Sequence, residues 1–316
     1  MQEKGAEVMT LPDDYLQYPN RRYGMDHDLF EWSILQQRDP IVWPNGAKIA
    51  IWVSYALEFF PLNQPAKPFK VPGGMVTPYP DLRHFTTRDY GNRVGIQRIW
   101  KVLAKHGITA SAAVNSVVAQ RYPYLISKIN DRGDEIIAHG VDMGKVHYGG
   151  MNDADETDLV EESVTVLREA SGQPVTGWWS PGKSESWNTL NHVANNGIEY
   201  VCDWVNDDMP YEMKSPDGHV LTAMPHTEEI WDRTILMDKK HNEKEWVEQI
   251  QDAFTVFYNE TDQYGGRIMS IVLTPYLAGM HYRIKYLEEA LGWIMGHDHV
   301  WAATGAQILE AFKRQS

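Results

Sequence analysis

The sequence predicts an α/β protein in which parallel strands form a sheet or barrel covered by helices. Three observations predict it. Short apolar runs alternate with amphipathic helical stretches about seven times between residues 48 and 313. The runs themselves, such as Lys48-Ile49-Ala50-Ile51-Trp52-Val53-Ser54-Tyr55, are apolar nearly throughout, as strands buried on both faces are. Successive strands are separated by about 25 to 40 residues, enough for the helical crossovers that parallel strands require. Such crossovers fit a closed or nearly closed barrel as well as an open sheet.

Residues 1–46 contain Pro12, Pro19, Pro40 and Pro44 and hold no sustained period, so they read as an arm ahead of a single domain at 47–316. The first strand, 48–55, runs into Ala56-Leu57-Glu58-Phe59-Phe60. Residues 61–90 read as a long Pro- and Gly-containing loop, a length that usually marks function or an interface. A helix at 92–106 aligns Ile96, Ile99, Trp100 and Leu103 and stops at Gly107. A strand at 109–114, a helix at 117–130 and a strand at 135–138 follow. The pattern continues with a helix at 153–171 stopped by Gly172, a strand at 176–180, a helix at 188–196 stopped by Gly197, and strands at 199–203 and 219–224. A helix at 243–258 aligns Trp246, Ile250, Phe254 and Phe257. A strand at 269–274, a helix at 280–295, and short segments at 299–302 and 305–313 close the series.

Composition excludes several function classes. The formal charge is −14, and no stretch gathers Lys and Arg into a stripe, which argues against nucleic acid and against an anionic membrane surface. No apolar run approaches the ~20 residues of a membrane span. Residues 1–20 lack a signal-peptide core, and the single Cys202 cannot form an internal disulfide, so a cytoplasmic protein is expected.

Polar groups gather where strands end. The first strand ends near Glu58, the third at His139, and the fourth in Trp178-Trp179-Ser180-Pro181-Gly182-Lys183. The fifth ends in Asp203-Trp204-Val205-Asn206-Asp207-Asp208, the sixth leads to His226, and the seventh ends in Thr274-Pro275-Tyr276. If these ends share one mouth, a carboxylate and an imidazole stand among aromatic walls, the makeup of a hydrolytic site for a small, flat, polar substrate. Glu58 follows an apolar strand between Leu57 and Phe59, which makes it a candidate general base, although a plain strand-edge carboxylate has the same pattern. His139 reads either as a site residue or as a core histidine bonded to a backbone carbonyl. Asp203, Asp207 and Asp208 also fit turn and cap positions. Trp178 and Trp179 alternate sides, so only one can face the mouth. No zinc spacing or Gly-x-Ser-x-Gly elbow occurs: Met143 stands four residues after His139, and His147 lies in a Gly-rich loop.

The same positions carry a family resemblance. Trp43 through Ala50, Tyr90-Gly91-Asn92-Arg93-Val94-Gly95, Ala138-His139-Gly140, Gly177-Trp178-Trp179, Asp203 with Asp207-Asp208-Met209-Pro210-Tyr211, and 275–283 occur in the family's order. The chain resembles the polysaccharide deacetylase superfamily, and within it the metal-independent allantoinase and cyclic-imide hydrolase branch. The resemblance implies a distorted, incompletely closed (β/α)7 barrel, a small-molecule substrate and a homo-oligomer. It implies Glu58 as the catalytic carboxylate and His139 at the first metal histidine, with Met143 replacing the second and no metal aspartate. No cofactor is therefore expected, with zinc as the alternative. Thr274 stands where the superfamily places an acid histidine; a threonine hydroxyl cannot take up a proton at neutral pH, so either His226 or His281 takes the acid role or the substrate does not need it. The expectation is an amidohydrolase of a cyclic amide, imide or ureide, with Trp179 and Trp204 stacking on the ring. Arg93, Arg283, Asp203 and Tyr276 complete the expected substrate contacts. A divergent deacetylase or aromatic-amide hydrolase, or a non-catalytic binding protein on the same fold, are the alternatives.

Overall fold

The strand β1 (Ile49–Leu57) is buried along its whole length and is hydrogen-bonded along both edges. The structure is a computed structural model and describes residues 27–64 and 80–315. One edge of β1 takes β8 (Arg267–Leu273), paired from Ile49 to Tyr55. The other edge is shared, with β9 (Val300–Ala302) on Ile49 to Ile51 and β2 (Ser111–Val114) on Ser54 to Leu57. Beyond β2 come β3 (Glu135–Ala138), β4 (Gly177–Trp178), β5 (Tyr200–Val201) and β7 (Val220–Ala223), all parallel. An edge strand, β6 (Tyr211–Lys214), pairs antiparallel with β7. The order β6-β7-β5-β4-β3-β2-β1-β8 leaves β6 and β8 unpaired with each other. This is the distorted, incompletely closed β/α barrel expected from the sequence.

Side-chain alternation divides the core in two. Ile49, Ile51, Val53, Tyr55 and Leu57 pack outward under the helices, while Ala50, Trp52 and Ala56 pack inside the curl. The inward set of β1 continues in phase to Glu58. The same phase sends Ile137 of β3 inward and Ala138 outward, so His139 is next to face in. Of the two tryptophans after Gly177, Trp178 packs outward and Trp179 inward.

The helices follow the predicted rhythm with physical exceptions. The expected loop at 61–90 contains a helix, α1 (Leu82–Tyr90), N-capped by Asp81; residues 65–79 of it lie outside the described residues. The expected helix at 92–106 opens with a π-helical turn, Gly91–Gly95, before α2 (Ile96–Lys105). A side chain on Gly95 would meet the Pro275 carbonyl oxygen at 2.0 Å, so glycine there lets the turn seat against the end of β8. Pro123 splits the expected helix at 117–130 into α3 (Ser116–Arg121) and α4 (Pro123–Arg132). The helices α5 (Asp153–Ser171), α6 (Thr189–Asn195) and α7 (Glu243–Tyr264) form where expected. A short α8 (Pro275–Ala278) precedes α9 (Ile284–Met295), and α10 (Gly305–Lys313) ends the chain.

Residues 27–46 form the described part of the expected arm; 1–26 lie outside the described residues. They run across the open seam. Leu29 accepts a bond from the Lys214 amide at 2.6 Å, Ile41 bridges Gly265, and Arg38 pairs with Asp207 at 2.6 Å. A cavity of about 330 Å³ remains in the seam, lined by Arg38, Tyr211 and Arg267 among others. Among the described residues no helix is long and apolar enough to cross a membrane.

Candidate active site

The ends of β1, β2 and β3 are tied together by one side chain. Asn115, fully buried just past β2, accepts a bond from the Phe59 amide at 2.8 Å and donates its amide hydrogen to the His139 carbonyl. Asn92 donates to the Glu58 carbonyl at 2.9 Å from the π-helical turn. The backbone carrying Glu58 and His139 is therefore held from both sides. Gly140 follows His139 with φ +67°, a left-handed conformation, and a Cβ there would lie 2.4 Å from Pro181. That close approach brings the β4 loop, with Gly182 and Lys183, over the end of β3.

Glu58 and His139 converge. His139 Nε2 stands 3.6 Å from Glu58 Oε1, and both side chains are almost fully buried. The other imidazole nitrogen, Nδ1, lies 2.7 Å from the Trp179 carbonyl. A carbonyl can only accept, so Nδ1 carries a proton, and in the tautomer with that one ring proton the lone pair of Nε2 points toward Glu58. At 3.6 Å the two groups are too far apart for a direct hydrogen bond. Glu58 Oε2 and His139 Nε2 both lack a hydrogen-bond partner. They face a cavity of about 30 Å³ lined also by Met143, Trp179, Gly182, Lys183, Glu228, Trp231 and Arg233. Trp179 lies against the imidazole, centroids 4.4 Å apart and tilted 33°, and Trp231 stands edge-on to it at 5.7 Å.

Lys183 is the nearby cation that sequence reasoning quoted but gave no role. Its Nζ donates to the His226 carbonyl at 2.7 Å and pairs with Glu228 at 3.4 Å. Burial moves its pKa below the ordinary lysine value, against the opposing pull of Glu228. Arg233 and Arg88 were also not anticipated. Arg233 lines the Glu58 and His139 cavity, and Arg88 lines a second small pocket on the far side of Glu58 with Phe60 and Phe85. No motif marked these three, because each sits on a loop or helix whose side chains reach the mouth without a strand's fixed phase.

Other expected site residues lie elsewhere. Arg93 is on the outer surface beside Asp89 at 3.7 Å, and Arg283 is bonded to Glu243 at 3.0 Å. Neither lines the cup, because the π-helical turn faces Arg93 outward and the start of α9 is clear of the strand ends. Trp204 packs edge-on to Phe30 at 5.8 Å on the seam side, so it walls the arm and not the cup. Asp203 accepts the Ser180 amide at 3.0 and 3.1 Å and shapes the β4 loop. His226 lies beneath Trp179, fully buried, with Nε2 2.7 Å from Ser54 Oγ. Burial, with the Lys183 charge adding to it, holds its pKa well below the usual histidine value. His281 is exposed. Neither histidine reaches the cup as a replacement acid. Thr274 is buried, with its hydroxyl 3.1 Å from Trp231 Nε1 and its amide donating to Asp232 at 2.8 Å. Tyr276 is buried with an unpartnered hydroxyl and the Arg88 guanidinium 5.8 Å from its ring. Burial, then the charge of Glu58, pushes its pKa above the ordinary tyrosine value.

The residues lining the cup do not fit a zinc site. Of the expected zinc ligands only His139 is present, since Met143 offers a thioether in place of the second histidine and no aspartate among the described residues lines the cup. His147 is no substitute, since it does not line the cup and its ring stands edge-on to the outward-packed Trp178 at 5.6 Å. Among the described residues no three His, Cys, Asp or Glu side chains cluster closely enough to hold a metal.

Comparison with known proteins agrees with this architecture. Residues 81–201 match the polysaccharide deacetylase family. A Schizosaccharomyces pombe protein named "Putative polysaccharide deacetylase" is 25% identical over 299 residues, covering 85% of this chain and 92% of that protein. Among solved structures, PuuE allantoinase superposes with a TM-score of 0.77 at 24% identity, covering 88% of this chain and 95% of its own. A "probable Polysaccharide deacetylase from Pseudomonas aeruginosa PAO1" gives 0.76 at 25% identity, covering 86% and 93%. Over residues 81–201 the chain is therefore similar to polysaccharide deacetylases, and its fold is the one that the strand-end motifs imply.

Proposed function

We propose that this protein hydrolyses a non-peptide C–N bond in a small cyclic amide, imide or ureide, without a metal. The supporting observation is the convergence of Glu58 and His139, whose Oε1 and Nε2 stand 3.6 Å apart and whose Oε2 and Nε2 lack a hydrogen-bond partner, at the edge of a small aromatic-walled cavity. A water that donates one hydrogen to each acceptor has its lone pairs directed outward, toward a substrate carbonyl carbon. Glu58 removes a proton as the water oxygen bonds to that carbon. The Lys183 ammonium, lining the same cavity, stabilises the negative charge that develops on the carbonyl oxygen. When the tetrahedral intermediate collapses, the C–N bond breaks and Glu58 returns its proton to the leaving nitrogen. One carboxyl thus serves as base and then as acid, so Thr274 needs no proton and no replacement histidine is required. The new carboxylic acid loses its proton to solvent.

A deacetylase using the same groups on an acetamide is the second reading, and the similarity of residues 81–201 to polysaccharide deacetylases favours it. A substrate panel separates the two. Cyclic imides and ureides should be opened in the presence of chelator, and N-acetylated sugars should be left intact. Hydrolysis of acetylated sugars alone would establish the second reading, and loss of all turnover on chelation would overturn the metal-free mechanism.

A further inference from the structure

The charges around Glu58 do not balance, and the imbalance indicates the substrate class; the inference rests on the hydrolase reading. Within the two pockets that meet at Glu58, Glu228 is paired with Lys183 and Asp89 lies beside Arg93. What remains is one carboxylate, Glu58, and two guanidinium groups, Arg88 and Arg233. Both arginines are more than nine-tenths buried, and in both Nε lacks a hydrogen-bond partner. Among the described residues Arg88 donates to the His84 carbonyl alone, at 3.0 Å, and it lies over the rings of Phe60 and Tyr276. Arg233 lies over the ring of Trp231. Among the described residues neither makes an ion pair. Cation–π contact offsets only part of the cost of burying such a group. The Tyr276 hydroxyl beside Arg88 is a further unpartnered donor.

The close neighbour of Arg233 does not correct this. Asp232 directs one oxygen to the amides of Thr274 and Ala278, and burial raises its pKa to about 7. On a chain whose formal charge is −14, a mouth with surplus buried cations is selective toward anions.

We propose that the substrate is an anionic ring, a cyclic amide or ureide bearing a carboxylate, and that Arg233 grips this carboxylate with Arg88 and Tyr276 completing the contact from beyond Glu58. A planar guanidinium fork matches a carboxylate in two parallel bonds, and the Nε–H is one of its donors. The grip orients the ring so that its scissile carbonyl lies between Glu58 and Lys183. Water adds to that carbonyl and the ring opens, giving a product with a second carboxylate.

The test is calorimetric binding of hydantoin-5-acetate and its neutral methyl ester to the Glu58→Gln enzyme, with the six-membered dihydropyrimidinedione carboxylate and its ester as a second pair. In at least one pair the acid should bind about 10- to 100-fold tighter than the ester, the range expected of a charge-assisted bidentate contact. In Arg233→Gln, combined with Glu58→Gln, that preference should fall below about threefold, and Arg233→Lys should restore part of it. A merely structural arginine would weaken acid and ester equally. Equal binding of acid and ester, failure of every acid to bind, or a preference that survives Arg233→Gln would overturn the proposal. Opening of neutral rings by the wild-type enzyme in the same panel would leave the hydrolase reading standing while removing this one.

Discussion

Two buried acceptors facing each other cost free energy unless a donor comes between them. Glu58 and His139 are such a pair, and the hydrolase proposal follows from asking what satisfies both. Lys183 gives the mechanism a pH signature. As the stabiliser of the oxyanion it must be protonated, so activity should decline as pH rises through its pKa. Because burial lowers that pKa, the decline should begin below the ordinary value of 10.5. Lys183→Arg should move this alkaline limb upward and Lys183→Met should reduce kcat by about 100-fold, the scale of one lost oxyanion donor; pH–rate profiles of the two variants check this. Asp232 gives a stability signature. Its carboxyl stays protonated in the folded chain up to about pH 7, whereas in the unfolded chain it ionises near its ordinary value of 3.8. The folded state therefore holds the extra proton between these limits. Its contribution is full below the lower limit and is lost as pH rises to the upper one, by up to about 1.4 kcal/mol per pH unit. Denaturant titrations should show that Asp232→Asn removes this slope.

At the scale of elements, strand phase made the site readable. Glu58 and His139 each continue the inward set of a strand, two residues on from Ala56 and Ile137. That is why the carboxylate and imidazole could be picked out, and why Trp179 could be separated from Trp178 once one of them was fixed. Phase ends where the strands end. Arg88, Lys183 and Arg233 lie on a helix and two short helical turns beyond the strands, and no periodicity points a long cationic side chain at a mouth. Arg93 and Arg283 belong to stretches that carry the family resemblance, but their partners are Asp89 and Glu243, away from the cup. The edge strand β6, Tyr-Glu-Met-Lys, escaped notice because only Met213 of it is buried. Asn115 was also missed, although it links the strand ends. Asn115→Ala would leave the Phe59 amide and His139 carbonyl without their side-chain partner. It should cost about 1–3 kcal/mol of stability and lower kcat more than it raises KM, as measured by chemical unfolding beside steady-state kinetics.

For the whole molecule, the rhythm of strands and helices was sufficient to indicate an α/β sheet or barrel, but not whether it closes. Closure is decided by pairing between distant segments, and β6 and β8 do not pair. The seam is instead spanned by residues near the start of the described chain. Arg38 makes two bonds to Asp207, at 2.8 and 2.6 Å, across 169 positions of sequence. Partly buried and bidentate, this pair should contribute more than an ordinary surface ion pair, and Arg38→Ala should lower stability by about 1–2 kcal/mol. A thermal melt showing no change would mean that the seam is held by its backbone bonds, at Ile41 and Gly265 and between Leu29 and Lys214, without the ion pair. The central claim is chemical, however, and its most direct measurement is the turnover of the best cyclic amide by Glu58→Gln. That variant keeps the shape of the cup and removes its base. The account predicts a folded enzyme whose kcat has fallen by about 10²- to 10⁴-fold; a folded variant that opens the ring at the wild-type rate would contradict it.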